Sequence, residues 1–173
     1  PIGRTSLAKE LRLGIASTRT LIKRLRELGI VDVDLVGGCY LTKKGREIVD
    51  TFFKYVKTIS DLSNVVERDL KLANYAYGAL LRLCTSAESI SIVEWRDIFV
   101  RYGAKATLIA KIINGKAILP PDENIGENVY PSLRKVREKF NAEEGDYIVI
   151  TFSDTLTIAE ESLIKGLIDI LPF

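Results

Sequence analysis

RTSLAKELRLGIASTRTLIKRLRELGIVDVDLVGGCYLTKKGR, residues 4–46, is the stretch whose reading decides the fold. Arg4–Leu13 places Leu7, Ala8 and Leu11 on one face of a short helix. Gly14 allows a sharp turn and can serve as the next N-cap, having no Cβ to obstruct it. From Ala16 to Leu28, the residues Thr18, Leu21, Ile22, Leu25 and Leu28 recur at helical spacing. Gly29 then supplies the left-handed residue that commonly ends a helix. IVDVDLV and CYL alternate apolar and polar positions around Gly37-Gly38, which reads as a two-residue hairpin turn. Thr42 caps a third helix beginning KKGREIV.

Helix, tight turn, helix, hairpin, helix is the order of a winged helix-turn-helix lacking its first helix. In such a unit the second helix of the motif lies in the DNA major groove. Its apolar face docks on the preceding helix, which leaves Ser17, Arg19, Thr20, Lys23 and Arg26 on the free face as expected DNA contacts. Arg19 and Lys23, four residues apart, are surface neighbours. Ile15 and Ala16 stand where a thymine methyl could be touched, but packing against the domain is the favoured role of Ile15. Residues 1–50 hold ten basic and six acidic side chains, whereas the other 123 residues carry a net −2 of the chain's total of +2. That asymmetry, more than the total, points to a nucleic-acid surface. The hairpin departs from the pattern: it carries Asp32 and Asp34 and no Lys or Arg, so it is expected to stay off the phosphates.

The 173 residues suffice for one large domain or two small ones. There is no histidine, and Cys39 and Cys84 are the two cysteines. A disulfide scaffold, a structural zinc site and histidine-based catalysis are all disfavoured, and both cysteines read as small buried apolar residues. No apolar run reaches transmembrane length and no signal peptide is visible, so a cytoplasmic protein without a membrane partner is expected. The absence of methionine implies a chain not read from its natural start, with the usual first helix upstream.

Beyond the hairpin, Ile48, Val49, Phe52, Phe53, Val56 and Ile59 form an amphipathic helix over residues 43–60, either a dimer element or a packing element for the next domain. From residue 61 the pattern changes to α+β. SNVVERDLKL reads weakly as a strand and YAYGALLRLC (Tyr75–Cys84) firmly as one. TSAES is a loop, and Ser91 caps a helix reaching Tyr102, ended by Gly103. ATLIAKII and KAIL flank Asn114-Gly115, the strongest hairpin signal in the chain. PPDENIGEN reads as loop, Tyr130–Phe140 as helix, and Tyr147–Phe152 as a buried strand. A final helix, capped by Asp154 or Thr155, ends at Pro172. The resulting β-β-α-β-β-α-β-α order predicts a two-layer sandwich with a mainly antiparallel sheet. Without its first strand the order matches a ferredoxin-like fold.

With the winged unit, WRDIFVRYGAKATLIAKIINGKAILPPDE, VYPSLRKV and EGDYIVITFSDTLTIAEESLIKGL, the chain resembles an uncharacterised archaeal family over nearly its whole length. The matching features are Arg96-Asp97, Gly103–Lys105 and the GDYIVIT run. The resemblance implies a winged helix joined to an α+β domain similar in shape to the GAD insert of certain aminoacyl-tRNA synthetases. It also implies a transcription-regulator class, with no ligand or cofactor specified.

Other candidate sites are weaker. Arg96 and Asp97 could bind an effector, though an ion pair or capping role is favoured. Ser153, Asp154 and Thr155 put hydroxyls and fresh N–H groups where a strand gives way to a helix, a possible anion site that capping alone explains. Adjacent carboxylates, Glu143-Glu144 and Glu160-Glu161, point different ways on a helix and make a poor acid/base pair. The leading expectation is a homodimeric DNA-binding regulator whose α+β domain dimerises or senses a small molecule. The alternative is a winged module for protein assembly, favoured by the acidic hairpin. An enzyme has no nucleophile–base pair, metal cluster or phosphate loop to support it.

Overall fold

The computed structural model describes residues 1–34, 36–82 and 91–171. Cys84, the TSAES loop and Pro172 lie outside the described residues. Two compact units divide between residues 51 and 52.

In the first unit, α1 (Arg4–Glu10) ends three residues earlier than its pattern suggested, because Arg12 turns left-handed at φ 52°. α2 (Ile15–Glu27) begins at the N-cap Gly14 and is closed by Gly29 at φ 69°. Thr18 is buried and donates its hydroxyl to the Gly14 carbonyl at 3.1 Å. The hairpin consists of β1 (Val31–Asp34) and β2 (Gly38–Leu41). Asp34 pairs with Gly38, so Gly38 is already part of β2 and the expected two-residue turn at Gly37-Gly38 does not form. The reason is visible at Asp34: its Oδ1 accepts the N–H groups of Val36 at 2.8 Å and Gly37 at 2.5 Å, forming an Asx-type turn. Ile2 adds an antiparallel bridge to Cys39, with N–H to carbonyl distances of 2.8 and 2.9 Å. The approach is close enough that a Cβ on Gly38 would stand 2.6 Å from the Ile2 oxygen.

The LTKKG run acts as a clasp. Thr42 Oγ1 accepts the Gly45 N–H at 3.1 Å and donates to the Gly29 carbonyl at 2.6 Å. Lys44 Nζ donates to the Leu28 carbonyl at the end of α2, 3.0 Å away. A Cβ on Gly45 would lie 2.1 Å from the Ile30 oxygen, so only glycine fits here. α3 (Lys43–Tyr55) starts from this clasp.

α3 stops at Tyr55, and residues read as its last turn form β3 (Val56–Asp61). Val56, Thr58 and Ile59 are β-branched and suit a pleated, half-buried surface, and the Tyr55 carbonyl is taken by the N–H of Arg82, 2.9 Å away. The rest of the second unit runs β4 (Tyr75–Leu81), α4 (Ile92–Arg101), β5 (Ala106–Ile113), β6 (Lys116–Leu119), β7 (Asp122–Gly126), α5 (Pro131–Phe140), β8 (Tyr147–Ser153) and α6 (Leu156–Ile170). All six strands lie in one antiparallel sheet, ordered β3-β4-β8-β5-β6-β7.

Alternation along the central strands sends side chains to two cores. Ala79, Leu81, Ile109 and Val149 face Trp95 and Phe99 of α4 and Leu163 and Leu167 of α6. Leu80, Ala110, Ile112, Ile148 and Ile150 face Leu133, Val136 and Phe140 of α5. The mainly antiparallel α+β architecture is as expected, and the layer of α4 and α6 is the expected second layer. α5 and the 62–70 segment add cover on the other face.

Three local expectations change. SNVVERDLKL forms no strand; Leu62, Val66 and Leu70 instead drop into the α5-side core at four-residue intervals. PPDENIGEN contains β7, a strand whose residues are mostly exposed, so no apolar alternation marks it. The last strand, β8, inserts between β4 and β5, whereas in the ferredoxin-like alternative the hairpin strand fills that slot. The expected α3 stripe is also largely used within the unit: Val56 is buried, and Phe52 and Ile59 pack on the α4/α6-side core. Phe53 stays 49% exposed.

Candidate nucleic-acid interface

α2 has one face inward and one outward. Thr18 and Ile22 are buried, and Leu21 and Leu25 half-buried, while Ser17, Arg19, Thr20, Lys23 and Arg26 are all exposed. Helical spacing therefore brings the five expected residues onto one surface. Arg4, Arg19, Lys23 and Arg26 line a shallow concavity with Ile22, Glu27 and Val33. Arg19 makes no hydrogen bond or ion pair among the described residues. Lys23 stands 3.9 Å from Glu27, both ends well exposed, a pair worth little in water. Thr20 donates its hydroxyl to the Ala16 carbonyl at 3.2 Å and keeps acceptor capacity.

Arg26 differs from the others, since its guanidinium pairs with Asp32 of β1 at 3.0 Å. Asp34 is likewise occupied. The N–H groups of Gly37 and then Val36 hold its carboxyl below the usual carboxylate range. Both hairpin acids thus have local work: one neutralises a helix cation and the other builds the turn. Ile15, expected to be packed, is 54% exposed, because Gly14 starts the helix before the chain reaches the apolar stripe. Val36, at the hairpin tip, is 97% exposed.

The opposite side of this unit is apolar. Leu7, Leu11, Leu21, Leu25, Val31 and Leu41 line a groove of about 840 Å³. Ile22 is fully buried, but Leu11 is 44% exposed.

The second set of candidates separates. Thr155 is the cap of α6, accepting the Ile158 N–H at 3.3 Å, and Asp154 pairs with Lys105 at 2.5 Å. Ser153 is buried at the end of β8. Arg96 and Asp97 are exposed on α4, and among the described residues no hydrogen bond or ion pair joins them to those three. Capping of α4 falls to Ser91 and Glu94, which form a full capping box.

The adjacent carboxylates have structural partners. Glu144 accepts the N–H groups of Asn114 and Gly115 at 3.0 and 2.9 Å, bracing the β5–β6 turn. Glu143 receives Arg82 at 2.6 Å. Sequence reading missed a buried polar knot. Arg82 grips the buried Asp146 through two bonds of 2.8 and 3.0 Å, and Asp146 also accepts the Glu143 N–H at 2.9 Å. Hydrogen bonding and charge from Asp146 push the Arg82 guanidinium further up from its ordinary value. The GD of GDYIVIT was the available signal: a lone acid beside a buried strand needs a partner.

No helix among the described residues is long and apolar enough to cross a membrane. An α+β sheet domain preceded by a small helix–hairpin unit with an exposed basic helix face is thus the class in hand. The model of a domain of unknown function (DUF4443) matches residues 59–170, and the chain belongs to that family. Among solved structures it is similar to the hypothetical protein PH0730 from Pyrococcus horikoshii OT3. The identity is 26% and the TM-score 0.70, over 98% of this chain and 84% of that one. Both findings fit the archaeal family expected from the sequence. No curated protein matches the chain.

Proposed function

We propose that the chain is a DNA-binding transcriptional regulator whose first unit is a winged helix-turn-helix. α2 is its recognition helix in the major groove, and the α+β domain serves dimerisation or small-molecule sensing. The observation that carries this reading is the two-sidedness of α2: Thr18 and Ile22 buried, Ser17, Arg19, Thr20 and Lys23 exposed. The Ile2–Cys39 bridge supports it by laying the chain ahead of α1 against the outer edge of β2 through one bridging pair, the place of a third wing strand. Exposed Ile15 at the start of α2 offers an apolar contact for a thymine methyl, since recognition helices read bases from their N-terminal turns. Arg19 and Lys23 supply phosphate or base contacts, and Arg26 is partly spent on Asp32.

A winged unit covers one half-site, so a two-fold dimer matching a palindrome belongs to this proposal. One observation favours a second reading, a protein-interaction module: the hairpin is acidic and ends in the exposed Val36. Fluorescence anisotropy of a labelled mixed-sequence duplex separates the two. The DNA reading expects binding that weakens steeply as salt rises. Absence of binding at low salt favours the interaction module.

A further inference from the structure

Asn-Gly occurs once in the sequence, at Asn114-Gly115, the tip of the β5–β6 hairpin. Ile113 pairs with Lys116, so the turn residues stand outside the ladder, and both are exposed. Their φ values of 52° and 70° are the left-handed pair that this kind of two-residue loop requires. Backbone N–H groups placed this way ordinarily bond to water.

Here one side chain takes both. Glu144 Oε1 accepts the Asn114 N–H at 3.0 Å, and Oε2 accepts the Gly115 N–H at 2.9 Å. The backbone around Glu144 is fixed by β5 itself. Gly145, at φ 82°, donates to the Ile112 carbonyl at 3.0 Å, and the Ile112 N–H returns to the Asp146 carbonyl at 2.9 Å. Asp146 is in turn gripped by Arg82. The carboxylate is thus carried to the hairpin tip by a turn that is itself tied down.

An Asn-Gly pair has a chemistry of its own. Once its proton is lost, the glycine nitrogen attacks the asparagine side-chain carbonyl carbon, an approach that no Cβ obstructs. The new C–N bond closes a succinimide ring. The Cγ–Nδ2 bond breaks, and Nδ2 leaves as ammonia, taking up a proton in place of the one given away. Water then opens one ring carbonyl or the other, giving aspartate or isoaspartate.

The first step removes the proton that Glu144 holds. A carboxylate accepting this N–H stabilises the neutral amide, and its charge opposes negative charge on the nitrogen. We propose that Asn114 is a latent deamidation site and that Glu144 is the positioning residue that keeps it unreacted. Reaction sets a second carboxylate on the turn that Glu144 braces, and the isoaspartate form lengthens the loop backbone by one carbon. Either product loosens the brace between the hairpin tip and the 143–146 turn. The proposal needs neither DNA nor a dimer.

Peptide mass spectrometry of the full chain, incubated at mildly alkaline pH, tests it. Glu144→Gln keeps the shape and an acceptor oxygen but loses the charge. It should form aspartate and isoaspartate at Asn114 roughly tenfold faster or more, the scale of a lost charge-assisted hydrogen bond. Gly115 amide exchange in base passes through the same loss of a proton and should quicken in parallel. The Ile112 N–H should keep its protection, which separates the charge from a general loosening of the turn. A folded Gln variant that deamidates at the wild-type rate overturns the proposal, as does acceleration only in step with loss of Ile112 protection. Should the variant fail to fold, the wild type decides alone. Gly115 exchange far slower than in a free peptide of the same sequence supports the guard, and exchange at the peptide's rate overturns it.

Discussion

Residues 1–51 and 52–173 bury their apolar side chains very differently. Among the described residues, Ala8, Ile22 and Cys39 are the fully buried apolar side chains of the first unit, whereas the second has two separate cores. The first unit compensates with backbone clasps at Thr42, Lys44 and Gly45 and leaves its leucines lining a groove. A unit held this way presents much of its surface for contact, and the second has the packing of a scaffold. The difference teaches where substitutions should damage stability and where they should damage recognition.

The largest expected effect lies in the second unit. Phe99 is fully buried against the α6 side of the sheet, and Phe99→Ala should cost about 3–5 kcal/mol in chemical denaturation. Leu25→Ala in the half-open groove of the first unit should cost well under half of that. Equal losses would erase the contrast. Next comes Gly45→Ala, whose Cβ would press on the Ile30 oxygen at 2.1 Å. The clasp must move, at about 1–3 kcal/mol, and the loss should appear in amide exchange of residues 1–51 and not in the β4–β8 ladder. Asp146→Ala leaves the Glu143 N–H without its buried acceptor and should destabilise the second unit by about 1–3 kcal/mol, read from thermal melts.

The smallest expected effect depends on pH. Burial alone would raise the Asp69 carboxyl, but the side-chain and backbone hydrogen bonds from Ser132 outweigh it, with help from the Asp69 and Leu70 backbone. The net result lies below the ordinary value of 3.8. A depressed folded pKa gives stability above the unfolded value that is lost as pH falls through the folded one. The melting-temperature gap between wild type and Asp69→Asn should therefore hold steady above about pH 5 and close on acidification. A gap that widens in acid would reverse the assigned direction.

What could be read from the sequence was what is local. The α2 stripe, the Ser91 cap and the Asn114-Gly115 turn, with φ values of 52° and 70°, each sit in a few consecutive residues. β3 was missed because Phe52, Val56 and Ile59 keep a helix-like spacing across the point where helix becomes strand. β7 was missed because DENIG offers no apolar alternation. The insertion of β8 between β4 and β5 depends on pairings some seventy and forty residues apart in sequence, which no local pattern encodes. The α2 face was legible down to its residues, yet the Arg26–Asp32 pair was not, since it joins a helix to a strand. Ile15 was misjudged because its exposure depends on where α2 begins.

The DNA proposal predicts that Arg19→Ala with Lys23→Ala changes recognition and leaves stability within about 0.5 kcal/mol, since both side chains lie on the exposed face. The most direct measurement is the salt dependence of duplex binding by wild type and this double variant, followed by anisotropy at matched pH. If both cations neutralise phosphates, the slope of log K against log salt should shrink by about two, with weaker binding at every salt concentration. Identical affinity and identical slope in the two proteins would contradict α2 as the DNA-contacting helix.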